Sequence, residues 1–333
     1  MARRRFHDWQ GTSGLGGASV MASPLPVPEP KEGSVVPQTA ISPSRPFPRV
    51  EGVEHRFVQA RGVRFHLAEA GAGEPVMLLH SFPQHWYAWR HVIPRLADDH
   101  RLICPDFRGF GWSDAPARGY DTDSRVADLI AVMDALGLER AWLVGHGWGA
   151  WAGFFLCLQA PQRVRGYLAL NMVHPWPTHR AALTGAWRQW HTVLWEYPLI
   201  GRQVLRRCPG LTRYLLGHWA GDPSIWQQPA LDEFVESSRE PARARAGQAL
   251  HWQYILHDIP ALLLGRNRKR RLTVPTLMLT GAADPIVTPK LLAGGDRYAS
   301  DLRIRTVQGS GHLLPEERPD LVASAVRELF QAT

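Results

Sequence analysis

Short runs of apolar residues recur along the chain from about residue 53, and each ends at a polar residue or a glycine. The first two runs, in "HRFVQARGVRFHLAEAG", predict a hairpin of two strands that turns at Arg61 and Gly62. Five later runs predict buried strands, and a sixth run with alternating polar positions predicts one more. Their sequences are "PVMLLH", "RLICPD", "AWLVGH", "VRGYLALN" and "VPTLMLTG", and then "LRIRTVQG".

Segments with a helical pattern lie between these strands. The pattern predicts helices over residues 86–97, 124–136, 148–158 and 318–331. Strands and helices that alternate in this way favour an α/β fold, with a mostly parallel central sheet that helices cover on both faces.

The alternation stops between residues 176 and 271, where the chain is helical in character and rich in Trp and Arg. Because this segment lies between two predicted strands, we expect it to form an inserted helical domain, the predicted lid, over the carboxyl edge of the sheet. Open α/β sheets bind their ligands at that edge. The core then comprises residues 51–175 and 272–333. Residues 1–50 are rich in Pro, Ser and Gly and predict a disordered leader.

The amino-acid composition indicates only a broad class of protein. The chain has 333 residues, of which 45% are hydrophobic and 20% charged, and this suits one large domain with an insertion. No apolar run approaches the roughly 20 residues of a membrane span, so we expect no membrane association. Three widely spaced cysteines (Cys104, Cys157 and Cys208) predict neither a disulfide framework nor a metal knuckle. A cytoplasmic protein is expected.

The formal net charge of +8 is concentrated in two places, Arg3 to Arg5 and the stretch "GRNRKRRL" at residues 265–272. Such clusters can bind nucleic acid or anionic surfaces. No recognition motif accompanies either cluster, so we interpret both as solvated segments and expect no nucleic-acid partner.

The stretch "LVGHGWGAWAGF" at residues 143–154 has the pattern of a sharp turn between a strand and a helix. In hydrolases with such an elbow, the residue at the tip carries the nucleophile, and small neighbours allow close packing. Gly145, Gly149 and Ala150 supply the small neighbours. The tip itself is Gly147, which tolerates a strained backbone but has no side chain with which to attack.

Four blocks of the sequence, in this order, resemble those of an α/β-hydrolase: "HSFPQHWYAWR", "DFRGFGWSD", "GHGWGA" and "GSGHLLPEERPD". The motifs are most similar to those of epoxide hydrolases, with haloalkane and fluoroacetate dehalogenases nearby. The resemblance covers the chain from about residue 53 onward. It implies the α/β-hydrolase fold with its inserted helical lid, and an aspartate at the tip that forms an ester with the substrate. Gly147 departs from that pattern, which excludes covalent catalysis from this position.

The resemblance assigns roles to four further residues. Asp284, in "LTGAADPIV", matches the acid of the family, and His312 matches its catalytic histidine, so Asp284 is expected to orient the imidazole. The backbone N–H groups of Phe82 and Trp148 match the oxyanion hole, where donors stabilise developing negative charge.

The resemblance also indicates which residues line the pocket. His80, Ser81 and Pro83 belong to the block beside the oxyanion hole, and Ser81 stands where the family has glycine. His146 is expected to be structural. The family places two lid tyrosines over the epoxide oxygen. We expect His191 and His251 at those positions, with Tyr254 or Tyr197 as alternatives. Imidazolium, with a pKa of about 6.5, is a stronger acid than phenol at about 10.

Three hypotheses of function remain at this point. In the first, His312 deprotonates a water or a hydroxyl of the substrate, which opens an epoxide or a similar small apolar substrate without a covalent intermediate. In the second, the protein is a catalytically silent binder of an apolar ligand. In the third, substitution at Gly147 has inactivated an epoxide hydrolase. No cofactor motif is present, and the histidines lack the ligand spacing of a zinc site, so neither cofactor nor metal is expected. The sequence leaves open whether the chain forms a homo-oligomer.

Overall fold

The computed structural model describes residues 45–178, 194–195, 197 and 200–331, and an eight-stranded sheet lies at the centre of these residues. The order of the strands across the sheet is β1-β2-β4-β3-β5-β6-β7-β8. β1 pairs antiparallel with β2, and β2 with β4, whereas all other neighbours are parallel. The strands are β1 (Glu54–Ala60), β2 (Val63–Ala70), β3 (Glu74–Leu79), β4 (His100–Pro105), β5 (Ala141–His146), β6 (Val164–Leu170), β7 (Thr276–Gly281) and β8 (Leu302–Val307). Each run that predicted a strand is confirmed.

The sheet is buried on both faces, as the continuous apolar runs predict. In β3, Met77 and Leu79 pack into one apolar cluster, while Val76 and Leu78 pack into a second cluster on the opposite face. All four side chains are fully buried. Successive residues of a strand point to opposite faces, so a run without polar residues is stable only when both faces are covered.

Helices cover the sheet, and most of the described residues from 201 to 263, between β6 and β7, are helical. The α-helices are α1 (Ile93–Leu96), α2 (Thr122–Ala135), α3 (Trp148–Gln159), α4 (Gly201–Arg207), α5 (Pro209–Trp219), α6 (Gln228–Arg239), α7 (Pro241–Gln253), α8 (Ile259–Leu263), α9 (Leu314–Glu317) and α10 (Pro319–Gln331). A π-helical turn, Tyr254–Asp258, joins α7 to α8. Short 3-10 turns span Trp86–Trp89, Pro161–Arg163, Pro223–Ile225, Arg266–Lys269, Pro289–Leu292 and Gly295–Tyr298. Within the described residues, no helix is both long and apolar enough to cross a bilayer.

The single helix predicted over residues 86–97 is wrong. The structure has a 3-10 turn at Trp86–Trp89 and a separate short helix α1. Pro94 has no N–H, so it cannot donate the hydrogen bond that would continue a helix from the preceding turn. Arg90, between the two pieces, bonds to the carboxylate of Glu316.

The end of the predicted leader also needs correction, because residues 45–50 lie within the described part of the chain. Arg45 forms ion pairs with Glu233 and, at 2.9 Å, with Glu240 of the predicted lid. The ring of Phe47 stacks on His55, with the ring centroids 4.0 Å apart. These contacts hold the segment that precedes β1 against the rest of the protein.

Candidate active site

Gly147 lies at the tip of a tight turn between β5 and α3, as the elbow pattern predicts. Its φ of +50° is in the left-handed region, which glycine adopts without strain. A Cβ on Gly149 would lie 2.2 Å from the carbonyl oxygen of Leu79, so only glycine fits there. The Gly147 N–H donates to the carbonyl of Leu170 in β6 at 3.0 Å, which ties the turn to the neighbouring strand.

Asp284 and His312 form a buried hydrogen-bonded pair at the carboxyl edge of the sheet, after β7 and β8. His312 Nδ1 donates to Asp284 Oδ2 at 2.9 Å. The other carboxylate oxygen accepts from the backbone N–H groups of Ile286 and Val287 at 2.8 and 2.9 Å. Burial by itself would raise the pKa of Asp284, but the charge and hydrogen bond of His312, with the backbone donors, lower the pKa below its ordinary value. The carboxylate therefore stays ionised and holds the proton of His312 on Nδ1.

The other ring nitrogen of His312 faces the elbow. Nε2 lies 3.8 Å from the point where a Cβ on Gly147 would be. The His312 ring is 7% exposed, and its edge lies against the ring of Trp219 at 5.9 Å. A base held in one tautomer and aimed at the tip of the elbow can take a proton from an oxygen that sits there.

The volume directly beside Gly147 is not open, because the side chain of Ser81 fills it. Ser81 Oγ lies 2.2 Å, and Ser81 Cβ 2.9 Å, from the position of a Cβ on Gly147. The Trp148 N–H, expected to serve the oxyanion hole, donates to Ser81 Oγ at 3.2 Å. Because residue 147 has no side chain, the hydroxyl of Ser81 occupies the space beside it. This hydroxyl also accepts the hydrogen bond of the Trp148 N–H.

Phe82 and Pro83 follow Ser81, and the peptide bond between them is cis. The ring of Phe82 is buried and lies edge-on to Phe110 at 5.8 Å and to His251 at 5.0 Å. The loop after β3 therefore lies between the elbow and the predicted lid.

His80 holds this loop in place and is not a base. Its Nδ1 donates to the carbonyl of Ser81 at 2.8 Å, and its Nε2 accepts from the N–H of Phe107 at 3.1 Å. Burial lowers the pKa of His80, so the ring is neutral near pH 7.

His146 also has a structural role, as expected. Its Nε2 donates to the carbonyl of His312 at 2.7 Å. Burial, with the nearby charge of His312, lowers the pKa of His146 to about 3. This neutral ring therefore supports the loop that carries the base.

Two predicted-lid residues, His251 and Tyr254, lie against the residue that follows the elbow tip. The ring of Trp148 is 5.0 Å from each of them. His251 is buried, and its Nδ1 donates to the carbonyl of Gly247 at 2.7 Å within α7. The alternative Tyr197 is 57% exposed. His191 lies outside the described residues.

Two residues that the sequence did not single out position the acid–base pair. Asn171, directly after β6, donates through Nδ2 to Asp284 Oδ2 and to the carbonyl of Gly311, both at 3.0 Å. The carboxylate of Glu317 accepts from the N–H groups of Gly311 at 2.7 Å and Leu313 at 2.9 Å, on both sides of His312. Two features of the sequence could have identified them. Asn171 lies at the carboxyl end of a predicted strand, and Glu317 lies within the same block as His312.

The predicted lid contacts the base directly. The His312 N–H donates to the carbonyl of Trp219, at the end of α5, at 2.7 Å. Glu317 also accepts from the N–H of Gly221 at 2.9 Å. Among the residues the structure describes, no group of three His, Cys, Asp or Glu side chains is arranged to hold a metal ion.

Known proteins are similar to this chain in fold and in sequence. A family model described as the alpha/beta hydrolase fold matches residues 74–319. Epoxide hydrolase A of Mycobacterium tuberculosis is 31% identical over 315 residues, which cover 83% of this chain and 96% of that protein. The soluble epoxide hydrolase of a Corynebacterium species is 26% identical over 305 residues, covering 84% and 97%. The crystal structure of Cfl2 from Burkholderia cenocepacia has 30% sequence identity and a TM-score of 0.76, covering 86% and 98%.

Proposed function

Because the chain belongs to the epoxide hydrolase-like α/β-hydrolase family, we propose that it opens an epoxide, or a similarly strained or polarised substrate, by general base catalysis. His312 is the base, Asp284 orients it, and no bond to residue 147 forms. The attacking oxygen comes from water or from a hydroxyl of the substrate itself.

One observation carries the proposal: the base is oriented and aimed at a tip that has no side chain. His312 Nδ1 is held by Asp284, and Nε2 lies 3.8 Å from the Cβ position of Gly147. An oxygen that lies near the tip can pass its proton to Nε2 as it attacks, and the carboxylate stabilises the imidazolium that results.

The opened ring must also receive a proton on the departing oxygen. His251 and Tyr254, whose rings each lie 5.0 Å from the ring of Trp148, are the proposed donors. The Nδ1–H of His251 donates to the carbonyl of Gly247, so the ring would donate through Nε2 in its doubly protonated, imidazolium form. His191 is the second expected lid donor.

Aromatic side chains that contact the base or His251 favour a small apolar substrate. Phe82, Trp148 and Trp219 all lie within ring contact of His251 or His312. Ligand sites of this kind combine apolar walls with few polar groups. The three cysteines are free thiols, which supports the cytoplasm as the proposed location.

A silent ligand-binding protein is the second candidate. The observation that favours it is the hydrogen bond from the Trp148 N–H to Ser81 Oγ, since that donor is engaged without a substrate. Inactivation by substitution at Gly147 alone is less well supported. The Ser81 hydroxyl lies within 2.2 Å of any Cβ at that position, so Ser81 and Gly147 depart from the family together.

The test measures turnover of an epoxide panel that includes styrene oxide and an epoxide with an internal hydroxyl. We expect His312→Ala to lower kcat by about 10²- to 10⁴-fold, the usual contribution of a general base. The exposed His257, changed to Ala, serves as the matched control and should leave kcat unchanged. Turnover that survives His312→Ala would exclude the base mechanism. No turnover, together with tight binding of the epoxides by tryptophan fluorescence, would support the silent binder.

A further inference from the structure

The Ser81 hydroxyl has no role in the reaction proposed above, yet it lies in the volume where the reactive group of the elbow would be. Its Oγ is 2.2 Å from the Cβ position of Gly147, which is between one and two covalent bond lengths. A reactive oxygen carried by residue 147 itself would lie one or two bonds beyond that Cβ. The hydroxyl therefore occupies nearly the place of the nucleophilic atom, although it comes from the loop after β3.

Ser81 and Gly147 depend on each other sterically. A side chain at position 147 would overlap both Oγ and Cβ of Ser81, and Cβ cannot move without the backbone. His80 fixes this backbone by donating to the carbonyl of Ser81. The hydroxyl can occupy this place only because residue 147 is glycine.

The surroundings of Ser81 suit a nucleophile. The Trp148 N–H, at the start of α3, donates to Oγ at 3.2 Å, and this bond favours an alkoxide over a neutral hydroxyl. His312 Nε2 and Ser81 Oγ lie 3.8 and 2.2 Å from the same point. The two atoms are not bonded to each other in the described structure, and catalytic hydrogen bonds are often long before a substrate binds. Ser81 is 4% exposed, so its hydroxyl is shielded from bulk solvent.

We propose that Ser81, His312 and Asp284 form a serine hydrolase triad in which the serine has moved from the elbow to the loop after β3. Its substrates are carboxylic esters with a small apolar acyl group. This inference uses the same base as the proposed epoxide opening but does not depend on that activity.

The reaction proceeds in two balanced steps. His312 Nε2 takes the proton of Ser81 as Oγ bonds to the acyl carbon, and the bond from that carbon to the alcohol oxygen then breaks. The alcohol leaves with the proton from His312. A water, deprotonated by His312, then attacks the acyl-serine and releases the acid, and Ser81 regains its proton.

The chemistry of the adduct decides between esters and epoxides as substrates of Ser81. Attack on an ester gives an acyl-serine, whose carbonyl a water can attack. Attack on an epoxide would give an ether, which has no carbonyl and which general base catalysis does not hydrolyse. A serine in this position can therefore turn over an ester but not an epoxide.

The direct test is labelling of the unaltered full-length protein with an alkyl fluorophosphonate, which forms a stable bond to an activated serine with loss of fluoride. Trypsin should release residues 65–90, in which Ser81 is the only serine, so mass spectrometry locates the adduct without any variant. We expect one adduct on this peptide. We also expect hydrolysis of a p-nitrophenyl ester, with a burst of p-nitrophenol equal to the enzyme concentration.

Variants separate an activated serine from a merely accessible one. Ser81→Ala should abolish the label, and His312→Ala should slow labelling by at least about 10²-fold. Ser238→Ala, which removes another buried hydroxyl, is the matched control and should label at the normal rate. The inference is overturned if residues 65–90 remain unlabelled, or if His312→Ala labels as fast as the unaltered protein.

The experiments test the proposed epoxide opening and the proposed ester hydrolysis by Ser81 independently of each other. Labelling and ester turnover without epoxide turnover would reject the proposed function and leave the triad standing. Epoxide turnover without a label on Ser81 would reject the triad alone.

Discussion

The two residues at the centre of the site limit each other's size. Ser81 Oγ fills the space that a side chain on residue 147 would need, and Gly147 leaves that space to it. The backbone at Gly147, with φ of +50°, has the form in which an elbow normally carries its nucleophile, and this form is strained only for a residue with a side chain. An aspartate at position 147 must therefore both adopt this positive φ and avoid overlap with the side chain of Ser81.

We predict that Gly147→Asp alone does not create an ordinary epoxide hydrolase, because its Cβ would overlap Ser81. The double variant Ser81→Gly/Gly147→Asp should do so, forming diol from styrene oxide at least about 10²-fold faster than either single variant, a non-additivity expected of residues in contact. Diol formation by chromatography measures the rates.

Adding His312→Ala to this double variant provides the control. Without the base that hydrolyses the ester, intact mass should rise by one epoxide per chain. Equal diol formation by Gly147→Asp and by the double variant would show that Ser81 does not obstruct residue 147.

Sequence alone identified most of this site but not its central contact. Asp284, His312 and Gly147 follow three different strands, and parallel strands bring such positions to one edge of the sheet. Gly147 and Ser81 were each recognised as departures from the family pattern. That their atoms lie 2.2 Å apart could not be predicted, because no spacing along the chain gives the distance between side chains of two loops.

At the level of elements, the loop after β8 owes its shape to neighbours rather than to its own sequence. Asn171 after β6 donates to the carbonyl of Gly311, and Glu317 in α9 accepts N–H groups on both sides of His312. The predicted lid adds the carbonyl of Trp219. Strands were predictable from their apolar runs, whereas these polar contacts between distant elements were not.

We predict that Glu317→Gln destabilises the protein by roughly 1–3 kcal/mol, because an amide has one acceptor oxygen for three backbone donors. Urea unfolding measures the difference. Glu328→Gln is the matched control. Its carboxylate pairs with Arg305 at the surface, and its loss should cost less than about 1 kcal/mol. Equal effects of the two variants would show that Glu317 does not hold the loop.

For the whole molecule, the buried histidines lower the stability of the folded state as the pH falls. Burial lowers the pKa of four of them: His80, His85, His146 and His174. In the unfolded chain, these rings take up protons as the pH falls through about 6.5, whereas the folded protein keeps them neutral. Stability is therefore lost as the pH falls through that value, until the folded pKa is reached, about 3 for His146.

We predict that the free energy of unfolding falls between about pH 7.5 and pH 5.5, and that His146, with a folded pKa of about 3, contributes about 1.4 kcal/mol of this loss. Urea unfolding at both values measures the loss. His146→Gln should reduce this loss of unfolding free energy by the contribution of His146, whereas the exposed His257→Gln should not change the loss. A free energy of unfolding that is the same at both pH values would contradict the buried, neutral state of these rings.

In the proposed reaction, His312 acts on an oxygen that is never bonded to residue 147. A single turnover of styrene oxide with enzyme in excess, in water enriched in oxygen-18, distinguishes this reaction from one with an ester intermediate. We predict that the diol of this first turnover carries one oxygen-18 atom and that no carboxylate of the protein carries any. A first-turnover diol without oxygen-18, together with oxygen-18 in a carboxylate of the protein, would contradict it.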